Sequence, residues 1–173
     1  MKVFLIGYRG TGKTTTGRLL SELLGCSFID TDQRIEEKIG GPIRELVEKD
    51  GWASFRAMEQ SLLFDLKHTE NAVIATGGGM VLDPANRSFL RESGLVFRLY
   101  ADMETLVSRI VADPVSDVSR PSLTGLEPES EIRAVLAQRE PFYSQTAHHE
   151  IDTTNHTPQQ VARIIKRRID NGG

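Results

Sequence analysis

The run Gly7-Tyr8-Arg9-Gly10-Thr11-Gly12-Lys13-Thr14 satisfies the pattern G-x-x-x-x-G-K-[ST] at every constrained position. Before it stands the apolar run Val3-Phe4-Leu5-Ile6, short enough for a buried parallel strand. After it, Leu19, Leu20, Leu23 and Leu24 recur at helical spacing. Strand, glycine-rich turn and helix are the context in which this pattern has a mechanism. The glycines let backbone N–H groups turn inward, and the helix N-terminus adds positive potential, so the turn cradles phosphate. Lys13 is expected to reach the β- and γ-phosphates of a nucleoside triphosphate, and the Thr14 hydroxyl to bind Mg²⁺. Gly10, Thr11, Gly12 and Thr15 complete the expected nucleotide contacts of this run. A glycine-rich turn that matches by chance is the competing reading, and both flanks weigh against it.

Moving outward, Gly25 reads as a helix C-cap and Ser27-Phe28-Ile29 as a second strand. That strand runs into Asp30-Thr31-Asp32, at the sheet end where open α/β folds bind ligands. If the segment stays extended, both carboxylates lie on one side, available to a metal or a proton. Helix-capping aspartates are the plainer reading. Residues 42–67 read as helix in two pieces, broken at Gly51, with Trp52, Phe55, Met58, Leu62, Leu63 and Leu66 as a core-facing stripe. Arg56 and Glu59 lie three apart and can pair on one face. Ala72-Val73-Ile74-Ala75 predicts a third strand, ending in Gly77-Gly78-Gly79, where a ligand could approach the backbone closely. Many phosphate-loop proteins place a metal-side Asp at such a strand end; glycine stands there instead, leaving Asp30 as the candidate.

Leu95 to Tyr100 supplies a fourth strand, and Asp102 caps a helix that turns Leu106, Val107, Ile110 and Val111 inward, with Arg109 off the stripe. Asp113 to Pro128 is rich in proline and poor in apolar periodicity, the character of a functional loop or lid, and it carries Arg120-Pro121. Closing such a loop could bring Arg120 onto transferring phosphate charge. Glu129 to Ala147 is helical and bears Arg139, either structural beside Pro141 or a fork for a carboxylate. Glu150-Ile151 reads as a last strand, and Pro158 opens a terminal helix. His148-His149 has no partner at zinc spacing and reads as solvated or packed.

A length of 173 residues suits a single domain with a sizeable core. The net charge of −3 provides no basic field for a polynucleotide, so nucleic-acid partners are not expected. The basic last turn, Lys166-Arg167-Arg168, suits a helix C-terminus. Cys26, the sole cysteine, excludes an internal disulfide and fits a reducing cytoplasm. No apolar run approaches a membrane span, and Met1-Lys2 leads directly into the first strand, so neither membrane association nor a signal peptide is expected. Alternating strands and helices argue one parallel sheet covered on both faces.

Taken in order, these motifs resemble the shikimate kinase family over essentially the whole chain. The landmarks are the phosphate loop, Asp30-Thr31-Asp32, Phe55-Arg56 with Glu59, Gly77-Gly78-Gly79, Arg120-Pro121 and Arg139. The resemblance implies an α/β fold of the P-loop nucleoside-monophosphate-kinase type: a three-layer sandwich with a five-stranded parallel sheet and a mobile lid. The lid would span approximately 113–128 and the substrate-binding helices approximately 32–66, within one domain over 1–173. It implies ATP-dependent phosphorylation of the shikimate 3-hydroxyl, a step toward chorismate and the aromatic amino acids, by a cytoplasmic monomer using Mg²⁺. Arg56 and Arg139 match the arginines that bind the substrate carboxylate, for which a guanidinium fork is suited. Asp32 matches the carboxylate that binds ring hydroxyls and accepts the proton of the attacking one, with Glu59 holding Arg56. Gly77, Gly78 and Gly79 would offer backbone donors to substrate. Asp30 would act through the hydration shell of Mg²⁺, Lys13 and Arg120 would neutralise the transferring group, and Arg109, Pro158 and Thr154 would flank adenine. One departure is Arg120-Pro121-Ser122-Leu123, where the family often reads Arg-Pro-Leu-Leu.

Two other readings compete. A gluconate or nucleotide kinase of the same fold would lack this pairing of two substrate-side arginines with Asp-x-Asp and triple glycine, and a neutral polyol gives Arg56 and Arg139 no carboxylate. A catalytically silent regulatory relative would be expected to lose Lys13, Asp32 or Arg139, and all three are present.

Overall fold

The computed structural model describes residues 1–113 and 127–172. The expected lid falls almost wholly outside them, as does Arg120. Five parallel strands, β1 (Lys2–Ile6), β2 (Ser27–Asp30), β3 (Ala72–Ala75), β4 (Leu95–Tyr100) and β5 (His149–Asp152), form one sheet in the order β2-β3-β1-β4-β5. The helices are α1 (Lys13–Leu24), α2 (Thr31–Ile39), α3 (Ile43–Asp65), α4 (Pro84–Ser93), α5 (Met103–Val111), α6 (Pro128–Thr146) and α7 (Pro158–Asp170).

The two-sided sheet explains why the strands read as continuous apolar runs. Val3, Phe4, Leu5 and Ile6 are all fully buried. Alternation then sorts them: Phe4 and Ile6 pack with Leu63 of α3, Leu90 of α4 and Tyr143 of α6. Val3 and Leu5 pack on the other face with Leu20 of α1 and Val161 and Ile165 of α7. Three layers result, as expected.

Helix starts follow local chemistry. The side chains of Asp83 and Asp102 accept from the first-turn amides of α4 and α5, and Thr157 and Gln160 cap α7 reciprocally. Gly51 interrupts α3 at φ 81°, a left-handed value that a side chain disfavours. His148 Nδ1 accepts from the Val96 amide at 3.0 Å and the His149 ring stacks on Phe97, so that pair is packed.

One expectation changes. The segment after β2 does not stay extended: Asp30 ends the strand and caps α2, which begins at Thr31. Its side chain accepts from the amides of Asp32 and Gln33, because unpaired first-turn N–H groups draw the carboxylate. Asp30 and Asp32 therefore do not share a strand face.

β1 is the switch point of the sheet: the chain goes to β2 and β3 on one side, then to β4 and β5 on the other. The phosphate loop leaves its carboxyl end, the place where such sheets bind ligands.

Candidate active site

The phosphate loop is tightly folded. Gly12 caps α1 at φ 85°, and the Thr11 hydroxyl donates to the Tyr8 carbonyl at 2.8 Å. Lys13 Nζ donates to the carbonyls of Gly7 at 2.8 Å and Tyr8 at 2.7 Å. The Thr14 hydroxyl donates to Asp30 Oδ2 at 2.7 Å. Asp30 thus serves the cap with one oxygen and meets the expected metal-binding hydroxyl with the other, so the two readings of this residue are compatible. Thr15 is exposed in the first turn of α1.

On one side of the loop lies a cleft of about 490 Å³, open to solvent. Asp32 from α2, Arg56 and Glu59 from α3, Gly77, Gly78 and Gly79 after β3, and Arg139 from α6 all line it. Every substrate-side residue singled out in the sequence meets here, from four separate segments.

Glu59 is 1% exposed; its Oε2 accepts from Arg56 Nη1, while Oε1 has no hydrogen-bond partner among the described residues. Burial pushes its carboxyl up to about 7, against the opposing pull of Arg56 and with the Asp32 charge adding to the rise. Arg139 is 6% exposed and its Nε has no hydrogen-bond partner among the described residues. The Tyr143 hydroxyl donates to the Gly78 carbonyl at 2.6 Å, and burial raises that phenol to about 12.

The glycines make room. A Cβ on Gly77 would stand 2.5 Å from Glu59 Oε1 and 2.6 Å from Asp32 Oδ1, and one on Gly79 would overlap the Arg56 guanidinium. The Gly77 amide donates to Thr31 Oγ1 at 2.9 Å, so in this structure Gly77 contributes space to the cleft rather than a donor. Gly78 and Gly79 line the cleft beside it.

Five further lining residues were given no substrate-side role in the sequence reading: Tyr8, Arg9, Ile43, Trp52 and Phe55. The Trp52 and Phe55 rings meet edge to face at 5.9 Å, with the Arg56 guanidinium 5.4 Å and 5.2 Å from their centroids. Their helical stripe reads as core, and two aromatics flanking an arginine were the available signal of a ligand wall. Arg9 Nη2 donates to Glu131 Oε1 at 2.9 Å, joining the phosphate loop to α6.

On the other side is a cleft of about 410 Å³, lined by Thr11, Gly12, Arg109, Thr153, His156 and Pro158 among others. Arg109 donates to the Gly10 carbonyl at 3.4 Å and, through its second Nη, to the Thr153 carbonyl at 2.8 Å. Two of the three expected adenine neighbours, Arg109 and Pro158, are here. Thr154 is engaged elsewhere, its hydroxyl accepting from the Asp102 amide at 3.0 Å, and Thr153 and His156 occupy the wall instead.

A substrate cleft and a second cleft thus share the phosphate loop as a partition, an arrangement suited to transferring a phosphoryl group from one ligand to the other. The shikimate kinase family model matches residues 9–170. This chain belongs to the shikimate kinase family. A shikimate kinase of Oleidesulfovibrio alaskensis is 48% identical to it, covering 95% of each protein. A shikimate kinase 2 of an Enterobacter species is 45% identical, covering 94% of this chain and 92% of that one. Among solved structures, the shikimate kinase of Acinetobacter baumannii in complex with shikimate superposes with a TM-score of 0.91 at 37% identity, over 99% of this chain and 94% of that one. Family membership agrees with the fold, a five-stranded parallel sheet of the P-loop nucleoside-monophosphate-kinase type.

Proposed function

We propose that the chain transfers the γ-phosphoryl group of ATP to the 3-hydroxyl of shikimate, giving shikimate 3-phosphate and ADP. The observation that carries this reading is the meeting of Arg56 and Arg139 with Asp32 in one cleft beside the phosphate loop. A cyclohexene carboxylate bearing hydroxyls needs cations at one end and an acceptor at the other, and the cleft supplies both. A neutral polyol would leave two arginines without an anion, which argues against an uncharged acceptor; gluconate carries a carboxylate of its own, and the acceptor comparison below separates it from shikimate.

Arg56 and Arg139 receive the substrate carboxylate, and Glu59 holds Arg56 from beneath through its Oε2. That contact is made in the free protein, so little ordering remains to be done on binding. Asp32 orients the attacking hydroxyl. As the hydroxyl oxygen bonds to phosphorus and the bond to the β–γ bridging oxygen breaks, the hydroxyl proton passes to the Asp32 carboxylate. Lys13 turns from the loop carbonyls to the phosphates. Arg120, outside the described residues, retains the neutralising role that the family resemblance assigns it.

The hydroxyl of Thr14 and the carboxylate of Asp30 form a small all-oxygen donor set at the loop mouth, of the kind that holds Mg²⁺ together with phosphate oxygens and water. When bound, the ion supplies positive charge to the phosphates. Among the described residues no helix is long and apolar enough to cross a membrane.

The test is ADP release with ATP and Mg²⁺, comparing shikimate with gluconate, nucleoside monophosphates and no acceptor. Shikimate-dependent turnover that disappears in Asp32→Ala is the expected result. Turnover with another acceptor alone would keep the fold and refute the substrate. ATP binding without any turnover would favour a silent regulatory relative.

A further inference from the structure

Arg56 is held on several sides in the free protein, and Trp52 supplies one that the roles above leave unassigned. Trp52, Arg56 and Glu59 stand at i, i+4 and i+7 on α3, so they follow one another along a single face of the helix. Glu59 accepts from Arg56 Nη1 on the C-terminal side. One turn the other way, the guanidinium carbon lies over the Trp52 ring, 5.4 Å from its centre. The Phe55 ring stands 5.2 Å from the same carbon and meets Trp52 edge to face. Backbone closes a further side, since a methyl group on Gly79 would overlap the guanidinium. The Arg56 side chain is nonetheless 28% exposed and lines the substrate cleft.

One hydrogen bond to Glu59 fixes a point of the guanidinium and leaves its plane free to turn. An aromatic face attracts the cation and fixes that plane, which is what two-pronged recognition of a carboxylate requires. The Trp52 ring is itself anchored: it is half-buried and packs on Ile35, Ile43 and Phe55. A long arginine side chain without such walls would lose its rotational freedom only on binding, at a cost in affinity.

We infer that Trp52 is a positioning residue for substrate binding, its ring holding the Arg56 guanidinium in the plane that meets the substrate carboxylate. The inference rests on the assignment of Arg56 to that carboxylate. Because the carboxylate takes no part in the bond changes, the contribution of Trp52 falls on the shikimate KM and not on kcat. A residue that only fills the cluster between α2 and α3 is the competing reading, and leucine at position 52 separates the two, being apolar but without a ring.

The test is steady-state kinetics with ATP, Mg²⁺ and shikimate. Trp52→Leu should raise the shikimate KM about fivefold, the worth of one partly exposed cation–π contact, while kcat and the ATP KM hold. Trp52→Phe, which restores an aromatic face, should keep the KM within about twofold of the parent. In an Arg56→Met background no guanidinium remains to be held, so adding Trp52→Leu should leave kcat/KM from initial slopes where it was. Should Trp52→Leu fail to fold, Trp52→Met, closer in volume, carries the same expectations. An unchanged shikimate KM in Trp52→Leu would overturn the inference, as would a loss that phenylalanine does not rescue. An equal loss in the Arg56→Met background would overturn it too, because the ring would then act without Arg56. These three results leave shikimate as the acceptor; a parent protein that does not turn over shikimate overturns the underlying assignment and this inference with it.

Discussion

Replacing Glu59 by glutamine separates the charge of this buried group from its shape. Glu59 is pushed up from an ordinary 4.5 to about 7, chiefly by burial, and it is 1% exposed, so solvent screens little of the effect. Its folded-state value lies above its unfolded one. Between pH 4.5 and about 7 the unfolded chain therefore holds fewer protons than the native one, and stability falls as pH rises through that window. The size follows from the shift, roughly 3 kcal/mol in total at about 1.4 kcal/mol per unit. Glutamine keeps an oxygen for Arg56 and has no charge to lose. Urea unfolding of both proteins at pH 5, 6, 7 and 8 should show the stability of Glu59→Gln gaining on the parent by about 2.5 kcal/mol across the series, the rest of the effect falling below pH 5. A difference that stays constant with pH, or one that moves in favour of glutamate as pH rises, would refute the account of Glu59 as a carboxyl strained by burial.

Gly79→Ala drives a methyl group into the Arg56 guanidinium, so the shikimate KM should rise about 10- to 100-fold while the ATP KM holds, the cost of misplacing one charge-assisted contact; an unchanged shikimate KM in steady-state assays would count against Arg56 as a substrate ligand. Asp32→Asn should lower kcat about 100- to 10,000-fold with shikimate still bound, as expected for loss of a proton acceptor; calorimetric binding with kcat nearly intact would reduce Asp32 to a positioning group. Gly17→Ala places a Cβ 2.5 Å from the Phe28 ring and 3.3 Å from Leu5, where α1 meets the sheet. Crowding of that kind costs about 1–3 kcal/mol, offset in part by about 1 kcal/mol of helix propensity, so chemical denaturation should show net destabilisation with kinetic constants preserved.

Much of the architecture could be read along the chain because each of its signals is local. A parallel strand covered on both faces must be apolar throughout, which is why Val3 to Ile6 and Ala72 to Ala75 announce themselves. Caps such as Asp83 and Asp102 act on amides two or three residues away, and the phosphate loop acts through its own backbone. These features, and with them the family, follow from neighbours in sequence.

Contacts between distant segments were another matter. Whether Asp30 and Asp32 share a face depended on where α2 begins, and first-turn amides competing for Asp30 settled that in favour of the helix. Trp52 and Phe55 have the spacing of core residues, and only the way α3 lies against α2 and the glycine turn makes them part of a cleft. Thr153 rather than Thr154 came to line the second cleft because its neighbour's hydroxyl is held by the Asp102 amide across the sheet end. The sequence alone determined which elements form and which chemistry they carry, since propensity, periodicity and capping act over a few residues. The tertiary structure decided which side of each residue faces a ligand, and how deeply Glu59 and Arg139 are buried. Those properties depend on groups tens of residues away, whose positions no local pattern encodes.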